Sequence, residues 1–381
     1  MPSFLPFNIA AAGEGDSIMA QTDGRSIHSW IALMLDGRLR FLPAIALGTF
    51  GTGGDQLQDI MDDVSGVIAA GCRLVIMDGG TNDPLTTASL PASKALATQI
   101  VNTYNAAGVH VVYIAIPPRT DTSHVGVASR EANRLDFNAW LEGLAAGRGL
   151  TVVNVDDVYS PSDSVQSVDR LHPRTEGAYR IAAKVAAVLS PMLGTGDVAA
   201  AIGGAQLLNN PALAGTTGTL ATGVSGQAPT GWIVDNDTGA TVVSSLLPSG
   251  SGNTWCLDVS GSATTSTQDL RIYQTVSHPI AVGDQFALAA RMLLAGLGGE
   301  GDPTGVLGWS LAGFKAQIFS QFNAAGSGPM TRRVDNLVRC MPFANTTTGA
   351  SSQVGLFLRF AVGPVAARIE FSTPHCAFTA P

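Results

Sequence analysis

Apolar and polar positions follow two different rhythms along this chain. Between Phe7 and Met192, short apolar runs alternate with longer stretches in which apolar residues recur every three to four positions. The runs Phe7–Ala12, Leu42–Leu47, Leu74–Met77, Val109–Ile116 and Leu150–Val155 predict buried strands, because a half-exposed strand would alternate instead. Helical spacing predicts helices over Ser26–Leu35, Gln56–Ala70, Ser89–Ala107, Arg130–Ala146 and Thr175–Leu193. Gly71, Gly108, Gly147 and Gly149 punctuate the helix ends, and Pro117-Pro118 follows the fourth strand. Strands alternating with helices predict a parallel sheet covered on both faces. Beyond Met192 the helical rhythm fades. Gly194–Ala205 is rich in small residues and reads as a linker. After it, Thr241–Leu246, Thr254–Val259, Asp269–Tyr273, Gln285–Ala290, Val354–Phe360 and Ala367–Phe371 are β-rich and separated by turn signals, which predicts an antiparallel sandwich. The expected division is a domain over 1–195, a linker over 196–206 and an all-β domain over 207–381.

Composition narrows the reading. A chain of 381 residues suits two domains, and 45% hydrophobic content suffices for two cores. Only 13% of residues are charged, and the 44 glycines imply many tight turns. A net charge of −8 argues against nucleic acid or an anionic membrane as partner. No apolar run is long enough for a membrane span, and Met1–Pro6 lacks the basic start of a secretory signal. An extracellular or virion-borne setting, of bacterial or phage origin, is the expectation. Cys72 precedes a strand and is expected as a free core thiol. Cys256, Cys340 and Cys376 share the second half, so at least one of them is unpaired within the chain. No metal-ligand spacing is present, and neither a metal nor a cofactor is expected.

In doubly wound sheets, ligands bind at the carboxyl ends of the strands. Polar clusters fall there. Gly13-Glu14-Gly15-Asp16-Ser17 follows the first strand, the glycine-rich 48–54 stretch the second, and Gly80-Thr81-Asn82-Asp83 the third. Asp169-Arg170-Leu171-His172 follows the fifth strand and precedes the last helix. A serine hydroxyl needs a base to become a nucleophile. His172 is the candidate base, and Asp169 the group that fixes its tautomer. Backbone N–H groups and the Asn82 amide are candidate oxyanion donors. The chain holds a second Asp-x-x-His, Asp121 to His124, in the loop after the fourth strand. Position after the last strand favours Asp169 and His172 over it. His28 and His110 read as structural.

Gly15-Asp16-Ser17-Ile18, a glycine after the second strand, Gly80-Thr81-Asn82-Asp83 and Asp169-x-x-His172, in this order, resemble the four blocks of the SGNH (GDSL-type) hydrolases. The resemblance covers about Phe7 to Met192 and departs mildly in having Ile18 where leucine is usual. It implies a flavodoxin-like three-layer α/β/α sandwich with a five-stranded parallel sheet and cofactor-free ester hydrolysis. Catalysis would fall to Ser17, Asp169 and His172, with Ser17, Gly51 and Asn82 forming the oxyanion hole. Gly51 is the best match in its block, with Gly48, Gly53 and Gly54 as competitors. Asp16, His124 and Trp232 are candidate substrate contacts. Asp16 is further expected to brace its turn and stay out of the proton relay, and Asp83 to brace Asn82. The second domain loosely resembles jelly-roll carbohydrate-binding modules, with Trp232, Trp255, Trp309 and Tyr273 as candidate sugar platforms or core residues. The reading reached is an esterase on an acylated carbohydrate, most simply an O-acetyl esterase. Its alternatives are a general short-chain esterase or lipase whose β-domain is a lid or oligomer surface, and a viral tail or adhesion protein keeping the fold.

Overall fold

The computed structural model describes residues 9–21, 25–36, 38–42, 49–83, 85–125, 128–194, 206–250, 252–281, 285–313, 316–320, 333–344 and 349–379. The chain divides into two units, Met1–Thr195 and Gly196–Pro381.

In the first unit the elements run β1 (Ile9–Glu14), α1 (Ile27–Met34), β2 (Leu39–Phe41), α2 (Leu57–Ala69), β3 (Leu74–Met77), α3 (Leu90–Ala106), β4 (His110–Ile114), α4 (Thr122–Val125), α5 (Ala128–Leu144), β5 (Leu150–Val153) and α6 (Thr175–Leu189). The sheet order is β2-β1-β3-β4-β5, with every pairing parallel. β1 and β3 are buried at every position, which explains their unbroken apolar runs. One face packs on α2, α3 and α5 through Leu57, Ile60, Ile100, Tyr104, Phe137 and Leu141. Across the other, α1 meets α6, with Trp30 edge-on to Tyr179 at 5.4 Å. The strand order reverses between β1 and β3, which makes their carboxyl ends the switch point where such sheets bind ligands.

Several boundaries differ from the sequence expectation. The second strand is Leu39–Phe41, upstream of Leu42–Leu47, and 43–47 lie outside the described residues. The last helix stops at Leu189 and tightens into a 3₁₀ turn over Ser190–Met192, because Pro191 has no N–H to continue the ladder. Residues 195–205 of the expected linker also lie outside the described set.

The second unit holds two six-stranded sheets. In spatial order one is Val334–Ala344, Gln285–Ala295, Gly363–Thr379, Gly252–Ala263, Thr241–Ser249 and Val224–Gly226. The other is Ala316–Ser320, Val306–Gly313, Gly349–Phe360, Asp269–Ile280, Ala228–Asn236 and Thr217–Leu220. Pairing is antiparallel except at one end of each sheet, where Val224–Gly226 and Thr217–Leu220 pair in parallel, so the sheets are mixed. Trp232 of one sheet packs edge-on to Trp255 and Phe371 of the other, at 5.8 and 5.7 Å, so the sheets face each other. Val354, Leu356, Leu358 and Phe360 are wholly buried at every second position, as an inward face requires. That packing corrects the sugar-platform candidates. Trp232, Trp255 and Trp309 are at most 1% exposed and Tyr273 is 8% exposed, so all four are core residues. Trp232 also donates its indole N–H to the Asn210 carbonyl at 2.9 Å, which satisfies its one polar atom inside the protein. Cys72, Cys256 and Cys376 are buried free thiols, and the Cys340 side chain lies outside the described residues.

Candidate active site

Ser17 stands on an isolated turn rather than at a helix start. β1 runs to Glu14, Gly15 bends the chain at φ +136°, and the Ala20 N–H closes one turn on the Asp16 carbonyl at 2.9 Å. α1 begins only at Ile27. Asp16 is fully buried beneath the turn, where its Oδ1 accepts the Ile18 N–H at 2.9 Å. This corrects its candidacy as a substrate contact and leaves the bracing role. The Asp16 N–H donates to Asp78 Oδ1 at 2.9 Å, and the Gly15 N–H to Glu14 Oε1 at 2.9 Å. Glu14, Asp16 and Asp78 are all 0% exposed. Desolvation pushes the Glu14 carboxyl up to about 8. Burial also raises Asp16 and Asp78, and the charge of Asp16 raises Asp78 further. Only glycine fits position 15, since a Cβ there would lie 1.7 Å from Asp78 Oδ1.

The loop after β5 brings His172 to Ser17. His172 Nε2 lies 2.8 Å from Ser17 Oγ, and His172 Nδ1 lies 2.6 Å from Asp169 Oδ2. With Nδ1–H donating to the carboxylate, Nε2 is left to accept the serine proton. Arg170 takes the left-handed region at φ +70°, strained for a non-glycine residue. The bend lets Asp169 Oδ1 accept the Leu171 and His172 N–H groups at 3.1 and 2.8 Å. Partial burial pushes the Asp169 carboxyl up, but the His172 backbone and ring donors hold it below its usual value. The loop is pinned by residues that carried no signal in the sequence. The Tyr159 hydroxyl donates to the Leu171 carbonyl at 2.9 Å, and the Thr120 N–H to the Arg170 carbonyl at 3.0 Å.

The rival pair does not form. Asp121 is held by Arg119, with Nε and Nη2 at 2.6 and 2.9 Å, while buried His124 pairs through Nε2 with Glu131 at 3.1 Å. His124 does line a cavity together with Asn82.

Gly51 spends its N–H on Thr49 Oγ1 at 3.0 Å and packs against Gly15, where a Cβ would lie 3.0 Å from the Gly15 carbonyl oxygen. The loop is sewn to the end of β1 by Phe50 N–H to Gly13 and Thr52 N–H to Gly15. Gly53 lies beside the serine, with its ideal Cβ position 3.9 Å from Ser17 Cβ. Among the described residues no acceptor meets the N–H of Ser17 or of Gly53. Gly48 lies outside the described residues. Asn82 donates through Nδ2 to the Asp55 carbonyl at 2.9 Å, which uses one of its two amide hydrogens. Asp83 does not brace Asn82. Its Oδ2 accepts the Leu57 N–H at 3.1 Å and so caps α2. Among the described residues no three His, Cys, Asp or Glu side chains are grouped to hold a metal ion, and no helix is long and apolar enough to cross a membrane.

Comparison with known proteins bears on this geometry. Residues 15–180 match the model of the GDSL-like lipase/acylhydrolase family, a span that includes Ser17, Asn82, Asp169 and His172 and supports an ester hydrolase. No curated protein matches this chain. Solved structures similar to it include a carbohydrate esterase of family 3 from Talaromyces cellulolyticus, at 19% identity and TM-score 0.39, covering 48% of this chain and 97% of that one. Another is a catalytic mutant of an acetylxylan esterase from Geobacillus stearothermophilus, at 15% identity and TM-score 0.38, covering 50% and 96%. A GDSL-like lipase from Bacteroides thetaiotaomicron is similar at 14% identity and TM-score 0.38, covering 48% and 88%.

Proposed function

We propose, from a first unit that matches the GDSL-type ester hydrolases, that this chain is a serine esterase acting through an acyl-enzyme on an O-acetylated carbohydrate. The observation that carries the reaction is the unbroken contact from Ser17 Oγ to His172 Nε2 and from His172 Nδ1 to Asp169, at 2.8 and 2.6 Å. As Ser17 Oγ bonds to the ester carbonyl carbon, its proton passes to His172 Nε2. The imidazolium is stabilised by Asp169. The carbonyl oxygen takes up negative charge and is met by the N–H groups of Ser17 and Gly53 and the remaining amide hydrogen of Asn82. The carbon–oxygen bond to the alcohol then breaks, and His172 returns the proton to the departing alkoxide. Water, deprotonated by the same imidazole, releases the acid and restores Ser17.

The carbohydrate part rests on the appended β-unit, read as a jelly-roll carbohydrate-binding module, and on a chain poor in charge. Burial of Trp232, Trp255 and Trp309 favours a second reading in which this unit mounts the hydrolase on a larger assembly, such as a viral tail. The deciding experiment measures acetate release from a panel of acetylated glycans beside nitrophenyl esters of graded chain length. Short acyl chains should be preferred. Folded Ser17→Ala should lose all turnover, and unchanged turnover would remove Ser17 from the mechanism.

A further inference from the structure

Beside Asn82, at the carboxyl ends of β3 and β4, lies a cavity of about 220 Å³. One water claims only about 30 Å³ of liquid volume, so the space suits a substituent of a substrate. Three arginines line it, and two of them are already neutralised. Arg119 forms a two-pronged pair with Asp121, and Arg134 sits between Glu131 and Asp156 at 2.8 and 2.9 Å. Arg130, in the first turn of α5, differs. Its Nη1 donates to the Ser123 carbonyl, its Nε is buried with no hydrogen-bond partner, and among the described residues no carboxylate pairs with it. Arg130 is thus the lining arginine that no carboxylate among the described residues neutralises, and a guanidinium in that state on a cavity wall suits an anion from outside. Asp83 also lines the cavity and would oppose an anion. Its oxygens accept the Leu57 N–H at 3.1 Å and the Ser93 hydroxyl at 3.5 Å, which directs them to α2 and α3 while leaving the charge in place. His124, also on the cavity wall, is already paired through Nε2 with Glu131.

We propose that this cavity is a subsite for a carboxylate carried by the ester substrate, with Arg130 as its anchor. A planar carboxylate matches the guanidinium fork, so the preferred substrate is an O-acylated glycan built from sugar acids rather than from neutral sugars. The inference rests on the esterase reading, and it names a substrate class that reading leaves open.

The test compares acetylated oligogalacturonate with acetylated xylo-oligosaccharide of equal length. The wild-type protein should show the higher kcat/KM on the galacturonate ester, chiefly through KM, and added salt should shrink the preference. Arg130→Gln should lower the ratio of the two kcat/KM values by about tenfold or more, as loss of a charge-assisted hydrogen bond does. Arg130→Lys should keep part of the preference. Where Arg130→Gln fails to fold, calorimetry on the wild-type protein decides, since unacetylated trigalacturonate should bind and xylotriose should bind more weakly. Equal affinity for the two, or an unchanged ratio in a folded variant, overturns the subsite. Failure to hydrolyse any ester, nitrophenyl acetate included, would instead overturn the esterase reading.

Discussion

His172 and His124 each stand three residues after an aspartate, and their surroundings separate them. Asp169 gives His172 its carboxylate, whereas Arg119 has taken Asp121 from His124. His172→Ala should therefore lower kcat by about 10⁴-fold, the usual cost of a triad member. His124→Ala should cost far less and act mainly on KM. Steady-state kinetics on both variants checks the order, and a reversal would move the base to the other loop. A second residue-scale effect concerns pH. Glu14 is pushed up to about 8 by burial, against about 4.3 for an unfolded glutamate. The folded state thus binds this proton more tightly than the unfolded state does. Stability from it is full below about pH 4 and is lost as pH rises through 8. Asp16 and Asp78 are raised as well and add to the decline. Glu14→Gln keeps an acceptor for the Gly15 N–H and removes one titration. The fall in Tm between pH 5 and 8.5 should become shallower, and an identical slope in variant and wild type would show that Glu14 is not the titrating group.

At the scale of elements, the candidate catalytic contacts depend on a loop and two turns rather than on helices. The segment from Tyr159 to Pro173 contains no helix or strand, yet it must hold Asp169 and His172 against Ser17. It is fixed by bonds at its edges, among them Tyr159 to the Leu171 carbonyl. Tyr159→Phe keeps the buried ring and deletes that bond. A stability loss of about 1 kcal/mol is expected from denaturant titration. Because the loop carries the proposed base, kcat should fall more than KM rises. A change confined to KM would place Tyr159 in substrate contact instead. The 49–54 loop follows the same logic. Backbone bonds to Gly13 of β1 and to Gly15 just beyond it commit Phe50 and Thr52, Thr49 occupies the Gly51 N–H, and Gly53 is left as the residue beside the serine.

For the whole molecule, each unit carries its own core and its own sheets. The candidate triad lies wholly in the first, so the proposed chemical step draws no triad residue from the second. A chain ending at Thr195 should keep activity on nitrophenyl acetate and lose activity on an acetylated polymer, because a tethered binding unit raises local ester concentration only when the substrate is large. Folding of the shortened chain is checked first by circular dichroism. If both activities vanish in a folded protein, the β-unit shapes the active site. If both persist, the β-unit serves an assembly rather than substrate capture.

The sequence by itself determined the order of elements in the first half, because burial on both faces writes strands as continuous apolar runs and amphipathic helices as a 3.6-residue period. Leu74–Met77 is a strand with the bounds its apolar run implies, and α2 and α3 each lie within one residue of theirs. The residue types at the strand ends were legible too, since the candidate nucleophile, base and carboxylate fall in short motifs. Tertiary structure alone decided what distance and burial decide. β2 falls on Leu39–Phe41, which is too short to impose a period. Gly51 and Gly53 are alike as letters, and only the fold places Thr49 Oγ1 on the Gly51 N–H while no described acceptor meets that of Gly53. Trp232 and Trp255 carry no mark in the sequence that tells core from platform, and it is the facing of two sheets that buries them. Arg119, Arg130 and Arg134 look equivalent along the chain, and only the placement of Asp121, Glu131 and Asp156 leaves one of them without a carboxylate.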